Sequence, residues 1–388
     1  MKEWKTYKLG DIVNFTTGKL DSNAADINGK YPFFTCSPET LKINSFAFNQ
    51  KAILLAGNNA EGNFSVKYYE GKFNAYQRTY VISISDENVV DYNFLYYALK
   101  ICLLRFKMMS QGTSTKFLTK SILNSFEIDL PNIETQQSIA SILASIDSKI
   151  QINRQINDNL EQQAQALYKS WFVDFEPFRE GEFIESELGL IPSTWRTSSL
   201  LKIINVMSGG TPKTNEDKYW NGEIPFFTPK DNDSSIYCHS TEKYITELGL
   251  NKCNSLLYPK DTIFVTARGT VGKICLSGTA MAMNQSCYAI VANDSSQQLF
   301  WYYTISNLIR VIKNKANGAV FDAITVKDFD EVIVIPDNPT INSFVQRVSA
   351  MFESINNNLL ENINLAKQRD SLLPKLMSGE LKINEIDC

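Results

Sequence analysis

The stretch IASILASIDSKIQINRQINDNLEQQAQALYKSW, residues 139–171, decides the fold. It holds no glycine and no proline, and steps of four and three from Ile139 land on Leu143, Ile146, Ile150, Asn153, Asn157, Leu160, Ala164, Leu167 and Trp171. That spacing is a heptad seam, so it predicts a long helix, exposed on most sides, with a partner along one stripe. The same steps from Phe344 reach Val348, Met351, Ile355, Asn358, Asn362, Leu365, Arg369, Leu372 and Leu376, each 205 residues after its counterpart. Both seams carry asparagine at the same two layers. A buried Asn in an apolar seam survives best opposite another polar group, which expects the two helices to pair Asn against Asn. Parallel packing matches the asparagines too. Antiparallel packing is preferred because a whole domain lies between the helices and the chain must return. At about 1.5 Å per residue such seams make a rod of roughly 50 Å.

Outward from the seams, the rest of the chain is also written twice. Trp4-Lys5-Thr6, Leu9, Ile12, Val13, Asn14 and Gly18 recur 191 residues later as Trp195-Arg196-Thr197, Leu200, Ile203, Ile204, Asn205 and Gly209. Tyr31-Pro32-Phe33-Phe34-Thr35 returns as Ile224-Pro225-Phe226-Phe227-Thr228, and Ala52-Ile53-Leu54-Leu55-Ala56 as Thr262-Ile263-Phe264-Val265-Thr266. Gln77 and Tyr80 match Gln285 and Tyr288, Gly112 matches Gly318, and Leu130-Pro131 matches Ile335-Pro336. Short β-branched or aromatic runs bounded by Gly, Asn and Asp predict strands at 52–56, 64–69, 79–84, 262–267 and 287–292. Apolar faces at helical spacing predict helices over 91–109 and 296–315. The expected architecture is α+β: two similar globular domains separated by two long antiparallel coiled-coil helices, an internal repeat with pseudo-two-fold symmetry. In order these are a domain at 1–134, a spacer helix at 135–176, a polar linker at 177–194, a second domain at 195–339, a second spacer helix at 340–380 and a tail at 381–388. Pro374 is expected to kink the last turns of the second helix and Gly379 to stop it.

Composition narrows the chemistry. The 388 residues are 44% hydrophobic and 21% charged with a formal net charge of −4, which fits about two globular domains and no global basic signature. Seven cysteines without a C-x-x-C pair argue against a disulfide framework or a zinc ribbon. The richest apolar run, 94–106, is interrupted by Lys100 and too short for a membrane span, so a soluble cytoplasmic protein is expected. The single histidine, His239, reads as a loop residue; one histidine excludes an H-E-x-x-H site, and a Ser-His-Asp triad would need that imidazole in a specific place. Arg268-Gly269-Thr270-Val271-Gly272-Lys273 lacks the spacing of a phosphate loop and reads as a strand-turn loop. No Gly-rich cofactor loop with an Asn/Asp-Pro-Pro-aromatic segment is present, and the carboxylates near Asp337 and Glu380 form no nuclease pattern. No metal site or cofactor is expected in this chain.

The domain-helix-domain-helix order resembles a known family once the helix-end wording is added: Asn-Arg-Gln-Ile-Asn at 153–157, Ala-Leu-Tyr-Lys-Ser-Trp-Phe-Val-Asp-Phe at 166–175 and Leu-Leu-Pro-Lys-Leu-Met-Ser-Gly-Glu at 372–380. Along its full length the chain is similar to the specificity subunit of type I restriction-modification enzymes. The resemblance implies a non-catalytic reader of double-stranded DNA, with each globular part a target-recognition domain for one half of a split asymmetric site. It also implies that the helices space the halves and dock two modification (methyltransferase) subunits, joined by restriction/translocase subunits in the full complex. S-adenosylmethionine, ATP and Mg then belong to the partners, which methylate adenine and cleave. A related two-subunit enzyme with fused methylation and cleavage uses the same kind of reader and stands as an alternative. A stand-alone nuclease and a structural coiled-coil adaptor are the readings of other classes. DNA cleavage by the purified chain, or no sequence preference in any assembly, would mark them.

Candidate DNA contacts lie where basic and amide side chains stand beside glycine in each copy, since Arg clamps guanine, Asn or Gln clamps adenine, and Lys, Ser and Thr hold phosphate. They are Lys19, Asn58, Asn59, Arg78, Thr113, Ser114 and Lys116 in the first copy. In the second they are Thr211, Lys213, Lys230, Arg268, Thr270, Lys273 and Asn317. Trp171, Phe172, Leu376 and Met377 at the helix ends read either as core or as anchors for a partner protein. With its negative net charge the isolated chain is expected to bind DNA weakly until a partner completes a positive channel.

Overall fold

The repeat of letters is a repeat of hydrogen bonds. In the computed structural model, which describes residues 4–315 and 323–382, Lys5–Lys8 pairs antiparallel with Glu127–Leu130, and Arg196–Ser199 pairs in the same way with Val332–Ile335. Ser85 N–H donates to Ile12 O at 3.0 Å, and Asn293 N–H donates to Ile203 O at 3.0 Å. The chain divides into two compact units, Met1–Ile150 with Asn364–Cys388, and Gln151–Ile363.

The first unit is built on a six-stranded sheet in the spatial order Val13–Thr17, Thr79–Ile84, Phe48–Ala56, Val66–Ala75, Tyr31–Phe34, Leu41–Ile43. Its central strand ends in the run Ala52-Ile53-Leu54-Leu55-Ala56, buried throughout, because side chains alternate between two covered faces. Ile53 and Leu55 join the core beneath the helix Tyr92–Ile101, while Ala52 and Leu54 pack with Phe34, Phe73 and Val81 on the other face. Asp91 caps that helix by accepting from Phe94 N–H at 2.9 Å. The single helix expected over 91–109 is two, Tyr92–Ile101 and Leu103–Met109, broken at Cys102. The second piece turns onto Phe126, whose ring lies 4.5 Å from that of Phe106 and 4.5 Å from the Arg105 guanidinium.

The second unit repeats the first four strands as Ile204–Ser208, Cys287–Ala292, Ile263–Thr266 and Ile274–Ser277, adds Tyr237–Cys238 at the edge, and carries the helix Gln298–Lys315 across them. Trp220–Phe227, the counterpart of Tyr31–Phe34, lies in a separate three-stranded sheet with Lys243–Ile245 and Ala282–Met283. Phe94, Tyr96 and Tyr97 of the first unit reappear here as Phe300, Tyr302 and Tyr303. Residues 177–194, read as a polar linker, contain regular structure. Phe183–Ser186 and Gly189–Pro192 form an antiparallel hairpin, in which Ile191 is buried, and Trp195 just after it is buried against the rings of Phe175 and Phe178.

The two long helices run Ile133–Phe172 and Asn338–Met377, and each contributes to both units. In the first unit Ile139, Leu143 and Ile150 are buried, as is Leu376, with Ile146, Leu365 and Leu372 half-buried. In the second unit Ala164, Phe344, Val348 and Ile355 are buried, while Leu160, Leu167 and Met351 are half-buried. Asn153 Nδ2 donates to Asn362 Oδ1 at 3.0 Å and to Glu361 Oε2 at 2.7 Å, and Asn358 Nδ2 donates to Asn157 Oδ1 at 2.8 Å. The strands of this pair are antiparallel. Tyr168, Phe352, Leu373 and Met377 are buried beside the seam positions, because a straight helix of 3.6 residues per turn drifts from a 3.5-residue repeat. Pro374 lies inside the second helix, which runs on to Met377 before Gly379 follows at φ +74°.

Of the two readings of the helix ends, the core reading describes Leu376 and Met377, while Trp171 and Phe172 are half-buried. Leu376 and Met377 are buried with Leu373 in the first unit's core. Trp171 and Phe172 spend their rings on Phe344, and Phe172 also meets Trp195 and Phe300, all within the second unit. Apolar residues at a helix end announce that something covers them, and here the cover is the chain's own globular part. Each fully buried Leu of this kind contributes about 1.5–3 kcal/mol.

Candidate nucleic-acid interface

In the first unit the candidate residues gather by main-chain pairing. The strand Phe48–Ala56 runs out at Gly57, whose N–H donates to Arg78 O at 2.8 Å and whose carbonyl accepts from Leu118 N–H at 2.8 Å. Asn58–Asn59 then pairs antiparallel with Lys116–Phe117. Leu20 bridges Tyr76, and its carbonyl accepts from Gln77 N–H at 2.9 Å, which carries Lys19 to the same edge. Lys19 and Arg78 are exposed, Asn58, Asn59 and Lys116 half-buried. The Asn58 Oδ1 atom is shielded without a hydrogen-bond partner among the described residues. Asn59 Oδ1 accepts from Glu61 and Asn63 N–H at 2.9 and 3.0 Å, so it shapes a turn. Thr113 and Ser114 are exposed on the loop after Gly112, where φ is +102° and a Cβ would lie 2.0 Å from Thr115 O.

The second unit builds the same edge with other side chains. Ala267 N–H donates to Ser286 O at 2.8 Å and its carbonyl accepts from Ile324 N–H at 2.9 Å, the counterparts of the two bonds at Gly57. Arg268 therefore stands where Asn58 stood, and Ser286 where Arg78 stood. Thr211 Oγ1 donates to Gln285 Oε1, and Thr270 Oγ1 to Pro229 O at 3.3 Å beside Lys230. Arg268, Thr270, Thr211 and Lys230 are exposed. Lys273 is committed to structure, its Nζ donating to Asn232 O at 2.9 Å, and Lys213 lies further along its loop, where its carbonyl accepts from the Trp220 indole at 3.1 Å. Asn317 and Gly318 lie outside the described residues.

Residue-type reasoning missed Gln77, Gln285, Lys107 and Lys313. The two glutamines recur at matched positions of the copies, which was the available signal. Lys107 Nζ donates to Asn63 Oδ1 at 2.8 Å, and Lys313 Nζ to Gly272 O at 2.9 Å. Burial, and then the charge of Lys273, hold Lys313 below the ordinary lysine range. Such an edge offers guanidinium, amide and ammonium donors, the groups that read base edges and hold phosphates. Burial, then Asp231, pushes the Cys238 thiol up to about 12, and burial raises Cys275 and Cys287 too, so these are core packers. Among the described residues no three His, Cys, Asp or Glu side chains are placed to hold a metal ion, and no helix is long and apolar enough to cross a membrane.

A duplicated α+β scaffold whose copies present different polar side chains at one shared edge is the class defined here: a tandem recognition protein. Residues 1–162 and 192–365 each match the type I restriction modification DNA specificity domain, and the chain belongs to that family. It is 30% identical to the type I restriction enzyme EcoDI specificity subunit of Escherichia coli, over 98% of this chain and 89% of that one. It is 32% identical to the MjaIX specificity subunit of Methanocaldococcus jannaschii, over 76% and 70% respectively. The fold is similar to that of a crystal structure of a type I restriction-modification S subunit from M. genitalium, with a TM-score of 0.61 at 20% identity over 96% of each chain.

Proposed function

We propose that the chain is the sequence reader of a type I restriction-modification complex, each unit reading one half of a split, asymmetric site on duplex DNA. The observation that carries this is the exchange at the shared edge. The first unit sets Asn58 against Arg78 and the second sets Arg268 against Ser286 on equivalent backbone bonds, so two alike scaffolds address two different base sequences. The domains at 1–134 and 195–339 supply the readers, and the helices set the spacing between half-sites. Two modification subunits dock on the outer faces of the helices, and restriction/translocase subunits join them. A groove of about 320 Å³ in the second unit, walled by Gln162, Gln165, Lys169, Val173 and Arg310, is one docking point. S-adenosylmethionine, ATP and Mg belong to those partners, and the complex works in the cytoplasm, where the free thiols stay reduced.

The test is to map methylated adenines genome-wide in cells with and without the gene. A two-part motif that disappears on deletion supports the reading. Arg268→Ala should then relax one half of the motif and leave the other half unchanged, and relaxation of both halves together would contradict the division of labour.

A further inference from the structure

The two asparagine layers fix the register of the long helices, yet they do not fix which helix pairs with which. Asn153 and Asn157 stand 205 residues before Asn358 and Asn362. A first helix laid against another first helix in the same register would set Asn153 against Asn157, and two second helices would match equally well. The layer at Asp147 behaves differently. Arg369 Nη1 donates to Asp147 Oδ1 at 2.6 Å, and Tyr97 Oη donates to Asp147 Oδ2 at 2.8 Å, all inside the first unit. The arginine is mostly shielded. Burial alone would depress its pKa, and the carboxylates of Asp147 and Asp370 more than offset that and raise it.

The two equivalent seam positions of the second unit carry no charge. Phe352 stands 205 residues after Asp147, and Ala164 stands 205 before Arg369; both are buried in that unit's core. Tyr303, in the place of Tyr97, meets the Phe352 ring edge-on at 5.8 Å, and its hydroxyl has no hydrogen-bond partner among the described residues. Pairing like with like would leave Asp147 facing Ala164 in one assembly and Arg369 facing Phe352 in the other. Asp147 would lose its counter-ion, and Arg369 would lose its partner across the seam and keep only Asp370 of its own helix, which is costly in a largely apolar seam. The Glu361 acceptor for Asn153 points the same way, because the residue 205 earlier is Ile156.

We infer that the Asp147–Arg369 ion pair is a pairing code that admits only a first helix against a second helix, and so rejects dimers formed by exchanging like halves between two chains. Such dimers would bring together two copies of the same recognition domain. The inference concerns helix pairing and stands whether or not the DNA reading holds.

The test uses the full chain, unfolded in guanidinium and refolded by dilution over a range of concentrations, with the dimer fraction read by size exclusion and light scattering. A spin label at Gln155, the midpoint between Asn153 and Asn157, gives a short inter-chain distance only when first helices pair with each other. The D147F/R369A variant gives both units the same apolar layer, and the D147R/R369D variant exchanges the charges. Wild type and D147R/R369D should refold as monomers, whereas D147F/R369A should show about tenfold more dimer with the short distance at residue 155, the size of a typical contact coupling. The inference is overturned if D147F/R369A remains as monomeric as wild type, if its dimers lack the short distance, or if D147R/R369D dimerises to the same degree.

Discussion

Asn153 donates a hydrogen bond to Asn362 at 3.0 Å in the second unit, with the Asn153 side chain wholly buried in a largely apolar seam. Asn153 is tolerable there because its amide donates to both Asn362 and Glu361, and removing it takes the donor from Asn362 Oδ1. Asn153→Leu is therefore expected to lower unfolding stability by about 1–3 kcal/mol. The double variant N153L/N362L should recover most of that loss. Urea melts of the four chains give the coupling directly, and additive losses would show that the amides do not act as a pair.

At the candidate interface, arginine and lysine should fail differently. Arg268→Ala should cost about 1–3 kcal/mol of discrimination at one or two base positions, as expected for a bidentate guanine contact. Lys230→Ala should weaken binding evenly across sequences and reduce the salt slope by about one. Competition binding of the assembled complex to a panel of single-base variants, at two salt concentrations, separates the two outcomes.

What was legible in the chain follows from how local each signal is. The long helices were readable because a heptad repeats every two turns, and the Asn layers sit in one stripe of residues. The candidate edge was only partly readable. Arg78 and Asn58 are adjacent through the bond from Gly57 N–H to Arg78 O, a contact that spacing along the chain does not encode. Lys273 looked free for phosphate and is instead bound to Asn232 O, because burial and pairing depend on a loop some forty residues away. Leu376 and Met377 were recognisably apolar at a helix end, but the identity of the covering surface is a tertiary fact.

Gly209 tests the close approach on which the second unit's edge depends. A Cβ there would sit 2.3 Å from the carbonyl oxygens of both Met283 and Asn284, beside Gln285. Gly209→Ala is expected to destabilise the protein by about 1–3 kcal/mol through backbone displacement. Recognition at the second half-site should suffer more than at the first. Equal loss at both half-sites in the methylation pattern would count against a local effect.

The single histidine offers a pH probe. Burial, and then the charge of Lys260, hold His239 below the ordinary imidazole value of 6.5, with Asn356 opposing. The unfolded chain thus takes up a proton near pH 6.5 that the folded chain refuses, so stability is full at neutral pH and declines as pH falls through 6.5 toward the lower folded value. His239→Asn should remove that part of the slope, so that its Tm falls less than that of the wild type between about pH 7 and 5.5. Parallel melting curves for the two chains across this range would rule it out.

The placement of Leu373, Leu376 and Met377 in one core with Leu9 and Leu143 also bears on how the protein is made. During translation the first recognition domain leaves the ribosome long before the residues that seal its flank, and that flank stays open while the entire second copy is being synthesised. The nascent chain must therefore hold an unfinished apolar surface out of solution until the residues from Asn364 onward arrive, a stage at which a chaperone has most to protect.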